Sequence, residues 1–484
     1  MSISDLGLRG DGSREPDVEK SQETCTTDSD LDTGVGPRVN SNGHVVHRHI
    51  HPDGESGRAW AHPWHFARII YRSSSDASKA VNILWLFVPP AIALHFIYPD
   101  SHSKTVFALN YIAMVPTANL IGFAGQELAR KLPKVFGVLL ETFLGSIVEI
   151  VLFMVLLVKN DPANNALIPV IRAAILGSIL ANLLLCLGIC FFVGGIREDK
   201  QSFDPVISEA GSGLLLTAGF GLTIPCAFYL YIKPQVSLAE ANALVLKVSR
   251  ATAIILLIAY LVYVFFQMKT HHSLIAEVLE EDEKRDKDRH IDLAKDKLTF
   301  TECCIALGVA LTCVTMHAIF LVEEIEPIVR DTSISDIFMG LILVPLVEKA
   351  AEHLTAVDEA WDDQMNFALA HVLGATLQTA LFNSSLAVIV GWGLDKSLVR
   401  SPFGLDCGID LLTLSKDLNF PLFQAFLLIL AILCVGNFLK DGESNYLEGS
   451  LCVLIYLIIA ISTYYVPNPP GLDAAIGDTG GNAS

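Results

Sequence analysis

Two apolar stretches of the chain carry acidic residues at their centres. The first, FGVLLETFLGSIVEIVLFMVLLV from Phe136 to Val158, holds Glu141 and Glu149. The second, IFMGLILVPLVEKAAEHLT from Ile337 to Thr355, holds Glu348, Lys349, Glu352 and His353. An ionisable group at bilayer depth is costly unless it faces a partner, an ion or water. Within these stretches GSIVE runs from Gly145 to Glu149 and EKAAE from Glu348 to Glu352, and both motifs end on a glutamate. Two carboxylates brought together at the midplane by antiparallel repeats suit a hard divalent cation. The same oxygens can take up protons when the cation leaves, because burial and mutual repulsion make protons effective competitors. The competing reading is a set of buried acids that pair only with each other or with Lys349.

A second pair of motifs follows the first. LGSILANLLLCLG runs from Leu176 to Gly188 and LGATLQTALF from Leu373 to Phe382. Gly177 with Ser178, and Gly374 with Ala375 and Thr376, allow close helix approach. Ser178, Asn182 and Gln378 can orient the carboxylates or offer oxygen ligands, and plain helix packing is the alternative for each.

These residues need elements to hold them. The chain has 484 residues, 52% of them hydrophobic, with mean hydropathy +0.48. From about residue 80 it is a series of apolar stretches of the length that crosses a bilayer. They fall at about 80–98, 105–127, 134–158, 165–193, 206–232, 246–267, 298–321, 335–355, 366–393, 420–439 and 447–466. The expected fold is therefore an all-α polytopic membrane protein of about eleven transmembrane helices. Two inverted five-helix repeats follow a lone first span. Pro89 and Pro90 in the first span and Pro345 in the eighth should kink or break their helices.

The expected organisation is a disordered cytosolic tail at 1–75, the first span plus first repeat at 78–267, a charged cytosolic linker at 268–297, the second repeat at 298–466 and a short C-terminal tail at 467–484. The tail opens MSISDLGLRGDGSREPDVEK, without the apolar core of a signal peptide. His44, His47, His49, His51, His62 and His65 form a histidine-rich patch, read as a solvated linker in preference to a weak metal site or pH sensor. The linker segment IAEVLEEDEKRDKDRHIDLAKDKL mixes acids and bases at helical spacing, which makes it a solvated helix. Its acidic run, Glu280 to Glu283, leaves a cation-sensing role as the minority reading. Arg130, Lys131 and Lys134 in one loop and Arg197 and Lys200 in another place those loops in the cytosol with the N-terminus and the linker, and the C-terminus in the lumen.

The formal charge of −19 excludes nucleic acid as a natural partner. Most of the ten cysteines lie in apolar runs and no CxxC pair occurs, so neither a disulfide framework nor a zinc cluster is expected. His317, His353 and His371 lie in spans without HExxH spacing, which leaves an intramembrane hydrolase as a weak reading.

Several long segments in order carry a resemblance over residues 78–466: VNILWLFVPPAIAL, FALNYIAMVPTANLIGFAGQELA, LGSILANLLLCLGICFFVGGIR, FMGLILVPLVEKAAEHLTAV, MNFALAHVLGATLQTALF, and DLNFPLFQAFLLI with LKDGESNYLEGSLCVLIYLIIA. On these the chain resembles the cation/proton exchanger family of the calcium/cation antiporter superfamily, of the fungal vacuolar type. The resemblance implies proton-driven calcium antiport into a vacuole. Glu149 and Glu352 would be the shared ion and proton site, and Ser146, Ser178, His353 and Gln378 the supporting residues. It implies calcium, protons and the lipid bilayer as partners, no cofactor, and a secondary transporter rather than an enzyme. The family pattern Gly-Asn-x-x-Glu is altered here. Ser146 stands for asparagine in the first motif, Glu348 and Lys349 stand for glycine and asparagine in the second, and Glu141 stands where asparagine is usual. An ammonium at Lys349 can occupy the place of a cation, and Glu348 or Glu141 can neutralise it. That alteration keeps two other readings open, a monovalent cation/proton exchanger and a non-transporting regulatory paralogue.

Overall fold

A computed structural model of the protein describes residues 56, 62–73, 75–97, 103–160, 167–198, 200–285, 295–332, 334–398 and 421–467. The described chain is helical apart from one pair of two-residue strands. Residues 63–72, expected within the tail at 1–75, form a helix. Helix α1, Pro63–Arg72, begins with proline at its first position and buries Ile69 against Phe123, Leu298 and Cys303. Phe66, Ile69 and Ile70 recur at helical spacing, and that apolar face, overlooked in a polar segment, is what docks it. Of the histidine-rich patch, His44, His47, His49 and His51 lie outside the described residues. His62 donates its backbone N–H to Glu302 Oε1 at 3.0 Å.

The first span, α2, is Ser78–Ile97. Its proline pair causes no break. Residues Asn82–Phe87 wind as a 3-10 helix, and Pro89 and Pro90 fall in the first turn of the α-helical part Val88–Ile97, where a missing N–H costs nothing.

Ten membrane segments follow in two sets. In the first set are α3 Ser103–Ala129, the pair α4 Lys134–Gly145 and α5 Ile147–Lys159, α6 Ile168–Arg197, α7 Pro205–Ile232 and α8 Leu238–Thr270. A helix at the start of the linker, α9 His272–Arg285, comes next. The second set is α10 Phe300–Asp331, the pair α11 336–348 and α12 Ala350–Trp361, α13 Met365–Leu394, α14 Leu422–Phe438 and α15 Tyr446–Tyr464. Nine of the described helices are long and apolar enough to cross a membrane. The shorter apolar α14 and the broken, charge-bearing α11–α12 supply the other two of the expected eleven.

The sets are inverted copies. α3 and α10 run antiparallel along each other: Leu298 N donates to Glu127 Oε2 at 2.8 Å at one end, and Asn110 Oδ1 meets His317 Nδ1 at 2.8 Å towards the other. The second helix of each set is broken at one residue, Ser146 or Lys349. The third carries a π-helical stretch, Ala181–Cys186 in α6 and Gln378–Asn383 in α13. A further π-helical stretch, Met339–Leu343, precedes Pro345, whose ring cannot donate to the turn before it. Lys131 Nζ donates to the Leu298 carbonyl at 2.7 Å, Arg197 pairs with Asp362 at 3.3 Å and Lys200 with Glu443 at 2.6 Å. The strands Gln201–Ser202 and Glu443–Ser444 pair antiparallel beside them. These contacts gather the basic loops and α9 on one face, the linker face. Around the outside, Phe220, Ile255, Leu430 and Ile458 are exposed, as a lipid-facing surface requires.

Candidate functional site

Each broken helix delivers its glutamate to the same point. Glu149 lies in the first turn of α5 and Glu352 in the first turn of α12, just past the breaks. Lys349 Nζ sits between them, 2.8 Å from Glu149 Oε2 and 3.1 Å from Glu352 Oε2. Its backbone at the break, φ −92° and ψ −3°, matches Ser146 at φ −73° and ψ −5°. Lys349 and Glu149 are fully buried. A buried ion pair is stabilised when further hydrogen bonds reach its carboxylate. Glu149 Oε2 accepts from Thr379 Oγ1 at 2.7 Å and from Asn383 Nδ2 at 3.0 Å, both in the π-helical stretch of α13. Gly145 makes the approach possible: a Cβ there would lie 2.7 Å from Glu352 Oε1.

The supporting residues divide. Ser178 Oγ donates to Glu348 Oε1 rather than to either repeat glutamate. His353 Nε2 meets Asn182 Oδ1 at 3.0 Å, tying α12 to the π-helical stretch of α6 and not to Glu352. Ser146 Oγ and both amide atoms of Gln378 are buried without a hydrogen-bond partner among the described residues. Glu149 Oε1 and Glu348 Oε2 are in the same state. These oxygens are hard ligands of the kind that calcium takes.

Glu141 lies elsewhere. Its Oε2 is 3.5 Å from His371 Nε2, while His371 Nδ1 is 2.7 Å from Glu359 Oε2. A cleft joins this group to the site; Glu141, His371, Glu352, Glu348 and His353 all line it. Glu352 keeps 18% of its side-chain surface exposed, whereas Glu149 keeps none. The cleft reaches one glutamate and not the other.

Sequence reasoning missed Thr379, Asn383, Glu359 and the pairing of His371. The signal for the first two was present: a hydroxyl and an amide four residues apart in an apolar run share a helix face. For Glu359 the signal was an acid near the end of a span, followed 12 residues later by a histidine in the next.

The comparisons with known proteins agree with this architecture. Residues 102–269 and 304–465 match the model of the family described as sodium/calcium exchanger protein. Vacuolar cation/proton exchanger 2 of Arabidopsis thaliana is 31% identical over 391 residues, covering 80% of this chain and 82% of the relative. The vacuolar calcium ion transporter of Schizosaccharomyces pombe is 30% identical over 393 residues, covering 81% and 86%. Among solved structures, native YfkE superposes with a TM-score of 0.60 at 24% identity, over 79% of this chain and 100% of that one. The H+/Ca2+ exchanger CAX gives a TM-score of 0.54 at 12% identity, over 81% and 91%. At those identities the structures speak for the fold. With both repeats matched in order, the chain belongs to the sodium/calcium exchanger family of secondary transporters.

Proposed function

We propose that the protein is a proton-coupled calcium antiporter, moving cytosolic calcium into the vacuole by alternating access, with Glu149 and Glu352 as the shared ion and proton site. One observation carries this reading: a cationic nitrogen already sits 2.8 Å from one repeat's glutamate and 3.1 Å from the other's. The point where the repeats meet is a cation position, and in this conformation the tethered ammonium of Lys349 fills it. Calcium arriving through the cleft meets Glu352 first, displaces the ammonium and draws in Glu149. Protons from the opposite face then neutralise the carboxylates and release the ion. The vacuolar membrane is the setting that the names of the relatives suggest, with the linker face cytosolic on the charge distribution of the loops.

The test is uptake of radiolabelled calcium by vesicles containing the purified full chain, driven by an imposed proton gradient, with sodium and potassium as competitors. Calcium uptake that collapses with the gradient is the expected result. Proton flux driven by sodium or potassium alone would replace calcium by a monovalent ion. A second reading has a specific basis in Lys349, since an ammonium that never leaves the two carboxylates makes a non-transporting paralogue. Absence of flux with all three ions would favour it.

A further inference from the structure

The buried group on the linker side of the site has its own geometry. His371 of α13 is held by two carboxylates from different helices: Nδ1 is 2.7 Å from Glu359 Oε2 of α12 and Nε2 is 3.5 Å from Glu141 Oε2 of α4. Its side chain is 11% exposed, between Glu141 at 18% and Glu359 at 15%. A structural ion pair needs one carboxylate. The second stands 3.5 Å from Nε2, a nitrogen buried without a hydrogen-bond partner among the described residues, and the ring lies on the wall of the cleft that also exposes Glu352.

We propose that His371, clasped between Glu359 and Glu141, is a proton-transfer station that takes the proton leaving Glu352 and delivers it to solution at the linker face. This rests on the antiport reading and adds the exit path for its proton. The Nδ1–H bond to Glu359 fixes the ring and leaves Nε2 as the nitrogen that changes state. The carboxyl O–H of Glu352 breaks, its proton crosses the cleft by water, and an N–H bond forms at Nε2. The imidazolium so made is flanked by two carboxylates. The Nε2 proton then passes to Glu141 and from there to water, which returns the ring to its neutral form. The other groups that bear on the cluster are Asp282 of α9, whose charge reaches Glu359, Cys186 of α6, which feels Glu352 and Glu359, and Glu352 itself.

Two measurements on the full chain separate this proposal from the reading it rests on. In vesicles, His371→Gln should slow proton-driven calcium uptake roughly tenfold at saturating calcium, leave the calcium KM unchanged and flatten the pH profile of the rate. Glu141→Gln, at a partly exposed position, should do the same and guards against misfolding of the first variant. In detergent micelles, nitrogen NMR of histidine-labelled protein reads the protonation of His371 against pH without any transport. Its titration should move when Glu352 is changed to glutamine. Normal uptake and pH profile in both variants would overturn the station, as would a His371 titration blind to Glu352. If the unmodified chain moves no calcium, the antiport reading fails on the flux, and the NMR titration alone decides whether His371 and Glu352 exchange protons.

Discussion

At Ser146 and Lys349 the two broken helices turn through nearly the same backbone conformation, ψ −5° and −3°, but one break carries a hydroxyl and the other an ammonium. The glutamates that follow differ to match. Glu149 is sealed, with Lys349, Thr379 and Asn383 on a single oxygen. Glu352 touches Lys349, keeps 18% of its surface on the cleft and packs against Gly145, where a Cβ would crowd its carboxylate. Inverted repeats thus fix where the carboxylates stand, while unequal side chains decide what each does. Repeat one supplies the held anion, and repeat two supplies both the accessible anion and its internal counter-ion.

The largest effects should come from breaking this pair unequally. Glu149→Gln and Glu352→Gln are both expected to abolish proton-coupled uptake, since each removes half of the cation position. Their stability costs should differ. Removing one partner of a buried pair typically costs about 3–5 kcal/mol, because the other charge stays buried. Glu149→Gln should approach that range, whereas Glu352 faces the cleft and its loss is softened by water. Uptake in vesicles and denaturant unfolding in micelles check both halves of the statement. Equal destabilisation would mean that the two glutamates are equivalent, and transport at normal rates in either variant would remove that residue from the ion site.

The next test makes the repeats alike. Lys349→Asn with Glu348→Gly gives repeat two an uncharged break, as in repeat one. The tethered ammonium no longer competes, and relief of about 1.4 kcal/mol would raise calcium affinity tenfold. The double variant is therefore expected to lower the calcium KM and raise uptake at limiting calcium. Reduced uptake from a chain that already moves calcium well would mean that Lys349 belongs to the transport cycle instead of opposing it.

How much of this could be read in the sequence follows from what each feature costs. Glu149, Glu352 and Lys349 stand out because ionisable groups in apolar runs are expensive wherever they point. The eleven spans are legible for the same reason: length and hydropathy set them before packing does. The holders of Glu149 were only half legible: Thr379 and Asn383 share a helix face, but nothing in the sequence aims that face at Glu149. Gln378 has the chemistry to hold a carboxylate, but the wide turn of Gln378–Asn383 aims Thr379 and Asn383 at Glu149 and leaves both Gln378 amide atoms unpartnered among the described residues. A π-helical turn is a rare local departure inside an α-helix that hydropathy does not mark. Helix α1 was missed because three apolar residues in a histidine-rich segment say little until Phe123 and Leu298 are there to receive them.

The smallest effect lies outside the membrane, where the linker joins what the comparison separates. α9 packs Ile275 and Leu279 against Val135 of the first repeat. Its Asp282 caps the second repeat's α13, accepting from the backbone N–H of Asn366 at 2.9 Å and of Phe367 at 3.1 Å, and from Asn366 Nδ2 at 3.1 Å. Burial pushes the Asp282 carboxyl above the usual carboxylate range, and the bonds from Phe367 and Asn366 and the charge of Arg285 oppose that rise without cancelling it. The sign of the pH effect follows. A carboxyl that holds its proton more tightly when docked contributes stability that is complete below its undocked pKa of about 4 and is lost as pH rises through the higher docked value. Amide exchange over residues 272–285, corrected for its intrinsic pH dependence, should therefore increase across that interval in the unmodified chain. Asp282→Asn keeps an acceptor for the cap but cannot titrate, so its exchange should stay flat. Asp282→Ala removes the cap and should loosen α9 at every pH, by about 1 kcal/mol. A pH slope that survives in Asp282→Asn would assign the titration to another group and leave Asp282 as a cap alone.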